Sequence, residues 1–229
     1  MPRDRATPLL VPPTIDRSTT AVALLLHGGR EVSTAPVRPW NTAALRMRPF
    51  AGAIRRLAPD VAVARLRYRH RGWNGSAADP LADVAWALGA IRSLAGERPV
   101  VLVGHSLGGR AAIGSAGDPL VTGVVGLAPW LPRREPVDQL TGTDVVLLHG
   151  TRDRTTDPLT TAAYAERAAT VARDVVSLRL TGTGHTMVSR AATWHELTAR
   201  FVAAIAAGAP IASVEPEHDG VHSTRIGVA

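Results

Sequence analysis

The sequence predicts an α/β protein: a mostly parallel central sheet with helices on both faces. Short runs rich in β-branched residues alternate with longer Ala-rich stretches whose apolar residues recur at helical spacing. Those short runs are apolar at consecutive positions, as strands buried on both faces must be. With 229 residues, 45% of them apolar, the chain can bury a substantial core, which excludes disordered and fibrous classes.

The elements follow in order. Pro2, Pro8, Pro12 and Pro13 leave room for at most one edge strand in the first twenty residues, around Leu9 to Val11. Strands are then expected at Val22 to Leu26, Val61 to Leu66, Val100 to Val103, Val121 to Leu127, Asp144 to Leu148 and Val175 to Leu180. Helices are expected at Trp40 to Leu57, Pro80 to Leu94, Leu107 to Ser115, Pro158 to Ala172 and Ala191 to Ala206. In the second of these, Asp79 is expected to cap a helix that opens at Pro80 and packs through Leu81, Val84, Ala85, Leu88 and Ile91. From Ala209 onward the chain is rich in Gly, Pro and charge and is expected to be loose. The expected organisation is an N-terminal segment over 1–20, a single domain over 21–207 and a flexible tail over 208–229, with no internal repeat.

Composition narrows the chemistry. The chain has no Cys, which excludes disulfides, thiolate zinc sites and cysteine nucleophiles. All 26 basic residues are Arg, but the 19 acidic residues are interspersed among them and no basic run reaches five, so the net charge of +7 is not a nucleic-acid footprint. The N-terminus lacks the apolar stretch of a signal peptide, and nothing approaches the roughly 20 apolar residues of a membrane span. A cytoplasmic protein with no membrane partner is expected. His70, His195, His218 and His222 lack partners at ligand spacing, so neither a metal site nor a cofactor is expected.

The informative segment is Val100-Val-Leu-Val-Gly104-His-Ser106-Leu-Gly108-Gly109, an apolar strand running through Gly-x-Ser-x-Gly into a helix. Such a turn forces the serine backbone into a strained conformation, so the positions two before and two after it must be tiny. Gly104 and Gly108 meet that demand. The string alone would arise by chance in about one such sequence in ten, and its setting between strand and helix gives it weight. A serine hydroxyl needs a base to take its proton and an acid to orient that base. His185, in the loop Thr181-Gly-Thr-Gly-His185, is the candidate base. Asp153, in the loop after Val145 to Leu148, is the candidate acid; Asp157 competes with it but precedes Pro158 and reads as a helix cap.

The order Ser106, Asp153, His185, each at a strand C-terminus, resembles the α/β-hydrolase fold over roughly Val22 to Ala206. The resemblance extends to Leu24-Leu-Leu-His27-Gly28-Gly29-Arg30, which looks like that family's His-Gly loop. It implies an oxyanion hole made by the backbone N–H groups of Leu107 and Gly29, with Arg30 as the neighbouring possibility for the second donor. His27 and His105 then read as structural, bracing the oxyanion loop and the elbow, and His149 as a packed or loop-bracing residue.

Larger members of the family insert a helical lid after the strand that follows the elbow helix. Here that connection, Ala128 to Gly142, is too short for a large cap domain. An open site is therefore expected, contacted by Arg30, Trp73, Trp130, Leu131 and Trp40, with ordinary core packing the alternative for the tryptophans. Arg65, Arg67, Arg69 and Arg71 alternate through a strand end facing the same edge. They read either as an ion-paired solvated edge or, at Arg69 or Arg71, as a site for an acidic acyl or leaving group. The function expected is a serine hydrolase cleaving small or accessible carboxylic esters. A thioesterase, lactonase or peptidase with the same residues, or a noncatalytic ligand-binding member of the fold, are the alternatives.

Overall fold

The computed structural model describes residues 6–214 and 218–226. Pro2 and part of the expected tail lie outside the described residues. Eight strands form one sheet in the order β1-β3-β2-β4-β5-β6-β7-β8. They are β1 Leu9–Val11, β2 Ala21–Leu26, β3 Val61–Arg67, β4 Val100–His105, β5 Val121–Leu127, β6 Asp144–Gly150, β7 Asp174–Leu180 and β8 Val221–Arg225. The inner six run parallel, and β1 and β8 close the two edges antiparallel.

Helices cover both faces. α3 (Asp79–Ala95), α4 (Leu107–Gly114) and α5 (Pro158–Ala168) pack on one face, and α2 (Arg48–Leu57) and α6 (Ala191–Ala206) on the other, with α1 (Thr42–Arg46) preceding α2. Successive strand side chains alternate between two cores. Val22, Leu24 and Leu26 of β2 meet α3 and α4, whereas Ala21, Ala23 and Leu25 face α2 and α6. This two-sided burial is why the strands read as unbroken apolar runs.

Three expectations are corrected. The single helix expected over Trp40 to Leu57 is two, parting at Met47, because Pro49 has no N–H to donate and its ring crowds the preceding turn. Asn41 starts α1, accepting the amides of Ala43 and Ala44, and Trp40 lies outside it, exposed. Asp79 does not cap α3 with its side chain; its carboxylate instead accepts from Asn74, His70 and Arg69. The stretch after Ala209, expected to be loose, contains a 3-10 turn at Ile211–Ser213 and the edge strand β8, whose backbone completes the hydrogen bonding of β7.

The β5–β6 connection carries no cap domain, only the 3-10 turn Asp138–Leu140. It is fastened to α4 by Arg110, whose Nε donates to the buried Glu135 carboxylate at 2.8 Å. The Arg110 guanidinium lies 3.9 Å from the ring centre of Trp73 and 4.8 Å from that of Trp130. No helix among the described residues is long and apolar enough to cross a membrane.

A buried ion pair costs most when only one partner is removed. Arg110→Met alone should therefore lower the unfolding free energy by about 3 kcal/mol. The double variant Arg110→Met/Glu135→Leu should lose less than either single one, as read by urea denaturation in a double-mutant cycle.

Candidate active site

Because the inner strands are parallel, β2, β4, β6 and β7 all end at one edge of the sheet, and the loops that follow them converge there. After β4 the chain reverses at Ser106, whose φ of 55° and ψ of −117° lie outside the regions open to ordinary residues. A Cβ at Gly104 would overlap the Gly108 carbonyl, and one at Gly108 would overlap the Leu26 carbonyl. The glycines are therefore required by the close approach of backbone to backbone. The reversal points the hydroxyl at the loop after β7.

There the Ser106 hydroxyl donates to His185 Nε2 at 3.0 Å. His185 Nδ1–H donates to Asp153 Oδ2 at 2.8 Å. The structure thus brings together Ser106, Asp153 and His185, separated by up to 79 positions. Asp157 is elsewhere: its carboxylate accepts the Leu159 amide and the Thr160 hydroxyl at the start of α5. Ser106 is only 9% exposed, at the floor of the site.

Asp153 has further partners. Its Oδ1 accepts the amides of Thr155 (2.7 Å) and Thr156 (3.0 Å), and its Oδ2 also accepts from the Thr156 hydroxyl and from His149 Nε2. Burial pushes this carboxyl up, but the hydrogen bonds from His149, the two amides and His185 outweigh it. They hold Asp153 well below the usual carboxylate range. It is therefore an anion whenever the protein is folded near neutrality, as the partner of an imidazolium must be. Sequence reasoning placed His149 as a packed or bracing residue and missed its contact with the acid. The available signal was its position four residues before Asp153, at the end of the same strand.

Two further histidines near the site serve the backbone. His105 Nε2–H donates to the His185 carbonyl at 2.9 Å, tying the elbow to the loop of the base. His27 Nδ1–H donates to the Gly28 carbonyl at 2.7 Å, and its Nε2 accepts the Tyr68 amide, so it braces the turn after β2. Burial pushes His105 down to about 3 and His27 down to about 4.

That turn presents Gly29 beside the elbow. Among the described residues, neither the Gly29 nor the Leu107 amide donates to any protein acceptor, whereas the Arg30 amide is taken by the Arg71 carbonyl at 2.7 Å. Of the two candidates for the second oxyanion donor, only Gly29 is free. A Cβ at Gly29 would strike the same Arg71 carbonyl.

The other expected contacts divide. Arg30 is exposed and lines a small cleft beside Gly28 and Gly29. Trp73 and Leu131 are buried in the core, and half-buried Trp130 stacks on Arg110. Arg38 lies 5.6 Å from the ring centre of exposed Trp40. Arg69 is ion-paired with Asp79 at 3.2 Å and Asp83 at 3.1 Å. Among the described residues no cluster of three or more His, Asp or Glu is arranged to hold a metal ion.

A parallel sheet with a strained Gly-x-Ser-x-Gly elbow and an Asp-His-Ser relay at its C-terminal edge defines an α/β-hydrolase architecture. The chain belongs to the alpha/beta hydrolase family, whose model matches residues 23–144. Solved structures are similar throughout the domain. One is an alpha-beta serine hydrolase homologue from Coxiella burnetii, 15% identical, with a TM-score of 0.61, covering 84% of this chain and 89% of its own. Another is Est1E from Butyrivibrio proteoclasticus, 12% identical, with a TM-score of 0.64, covering 87% and 94%. At these identities the likeness is one of fold. No curated protein matches the chain at a significant level.

The buried imidazoles give stability a sign with pH. In the unfolded chain they take up protons near pH 6.5, but in the folded chain only near pH 4 (His27) and pH 3 (His105). The unfolded state binds more protons between those values, so stability should fall as pH drops from 6.5 toward 4, by on the order of 3 kcal/mol for each histidine. Protonation of Asp153 adds a further loss below its ordinary value of 3.8. Urea midpoints measured across pH 4 to 7 should show this slope, and a His105→Gln variant should flatten it.

Proposed function

We propose that this protein is a serine hydrolase that cleaves carboxylic esters of small or accessible substrates through an acyl-enzyme. The observation that carries the reading is the continuous relay from Asp153 through His185 to a serine held on a strained turn. Ser106 Oγ attacks the ester carbonyl while its proton passes to His185 Nε2, and Asp153 stabilises the imidazolium that results. The carbonyl oxygen, now negative, accepts from the Gly29 and Leu107 amides, which have no competing acceptor among the described residues. As the tetrahedral intermediate collapses, the C–O bond breaks and His185 protonates the leaving alcohol. A water then repeats the sequence on the acyl-enzyme, releasing the carboxylic acid and restoring Ser106.

A small or accessible ester is favoured over a long-chain lipid ester because the short β5–β6 connection, pinned down by Arg110 and Glu135, leaves the site without a cap. A thioester, lactone or activated amide would pass through the same intermediate, and a panel of short p-nitrophenyl esters, acyl thioesters and aminoacyl amides ranks them by kcat/KM.

A fluorophosphonate probe should label the folded protein at Ser106, as located by peptide mapping. Ser106→Ala should abolish labelling and lower turnover by up to about a millionfold, with the thermal transition intact. Full ester turnover in that variant, or an unlabelled folded protein, would refute the assignment and favour a noncatalytic ligand-binding role.

A further inference from the structure

The alternating arginines after β3 have different fates. Arg69 is held by two carboxylates. Arg71, two residues on and half-buried, has no ion-pair partner among the described residues, and neither has Arg30. The backbone holds these two residues side by side: the Arg30 amide donates to the Arg71 carbonyl at 2.7 Å, and Arg30 bridges to Gly72 as a short parallel pair. Both line a small cleft, together with Gly28, Gly29, Asn41 and Thr42. Among the described residues no Asp or Glu lines it. Asn41 Oδ1 is consumed by the Ala43 and Ala44 amides, which leaves its NH2 group as a donor.

An anion entering such a cleft gains charge-assisted hydrogen bonds from guanidinium groups that no carboxylate already holds. The position of the cleft says which end of a substrate carries that anion. The leaving alcohol must lie near His185 Nε2 to receive its proton. The cleft instead adjoins the Gly28–Gly29 turn, and no residue of the Asp153 or His185 loops lines it. It therefore flanks the acyl half.

We propose that Arg71 and Arg30 form an anion subsite for the acyl group, so that the preferred substrates are monoesters of short dicarboxylic acids. This inference rests on the hydrolase reading above. Ser106 would form its ester with the near carbonyl, the alcohol would leave with the proton from His185, and water would release the dicarboxylate, while the far carboxylate stays on the guanidinium groups throughout.

The test compares p-nitrophenyl hemiglutarate with p-nitrophenyl valerate, which has a similar length and no charge, together with fluorophosphonate labelling of Ser106. The hemiglutarate should have a kcat/KM about tenfold higher or more at low ionic strength, the scale of one charge-assisted hydrogen bond. That ratio should shrink as salt is added. Arg71→Gln and Arg30→Gln should each bring it toward one, whereas Arg17→Gln, on an exposed turn far from the site, should keep it. Free glutarate should slow labelling of the native protein and do so less in Arg71→Gln. A labelled Ser106 with valerate turned over as well as hemiglutarate would overturn the anion subsite and leave the hydrolase reading standing. An unlabelled Ser106 would overturn both.

Discussion

One carboxylate organises the site. Asp153 receives five donors: two amides of its own loop, the Thr156 hydroxyl, and one imidazole on each side. The amides shape the loop after β6 around the anion. His149 anchors the carboxylate to the strand it leaves, and His185 is aligned by it toward Ser106. A buried anion is tolerated only where its lone pairs are satisfied, and here their satisfaction is also what fixes the geometry of the relay. The stability of the loop and the orientation of His185 are therefore the same interaction.

The histidines show how far context separates chemically identical groups. His27 and His105 are sealed in the core, each donating to a backbone carbonyl, and are kept neutral by desolvation. His185 sits at the surface end of the same constellation, with a carboxylate on one nitrogen and a hydroxyl on the other. That environment is the one the proposed proton transfer from Ser106 requires. The arginines divide in the same way. Arg69 and Arg110 are structural because carboxylates reach them, and Arg30 and Arg71 border the cleft without such partners among the described residues.

Much of the fold was legible because the sheet is buried on both sides. Its inner strands are continuous apolar runs whose limits differ by at most two residues at an end from those expected, and the Leu9–Val11 edge strand and α6 coincide with expectation. Local chemistry was legible too: Asp157 ahead of Pro158 caps α5 as its sequence implies. The break at Met47 follows from Pro49 inside the expected helix, whereas two other departures come from partners outside the local pattern. β8 lies in a polar stretch with no strand pattern of its own and exists because the β7 edge offers hydrogen bonds. Asp79 is a good capping residue drawn away by Asn74, His70 and Arg69.

The sequence by itself determined the residue types the site requires and the points at which the chain must turn. Gly104 and Gly108 around Ser106, and a carboxylate and an imidazole after successive later strands, are local constraints of backbone sterics and strand order. Only the tertiary structure decided which oxygen meets which nitrogen. Asp153 rather than Asp157 reaches the imidazole, Gly29 rather than Arg30 keeps a free amide, and Arg71 rather than Arg69 keeps a free charge. Each of these choices turns on a partner distant in the chain: His185 for the acid, the Arg71 carbonyl for the amide, and the α3 carboxylates for the arginine. Hydrogen bonds and ion pairs act over a few ångströms in space, and spacing along the chain does not encode that distance.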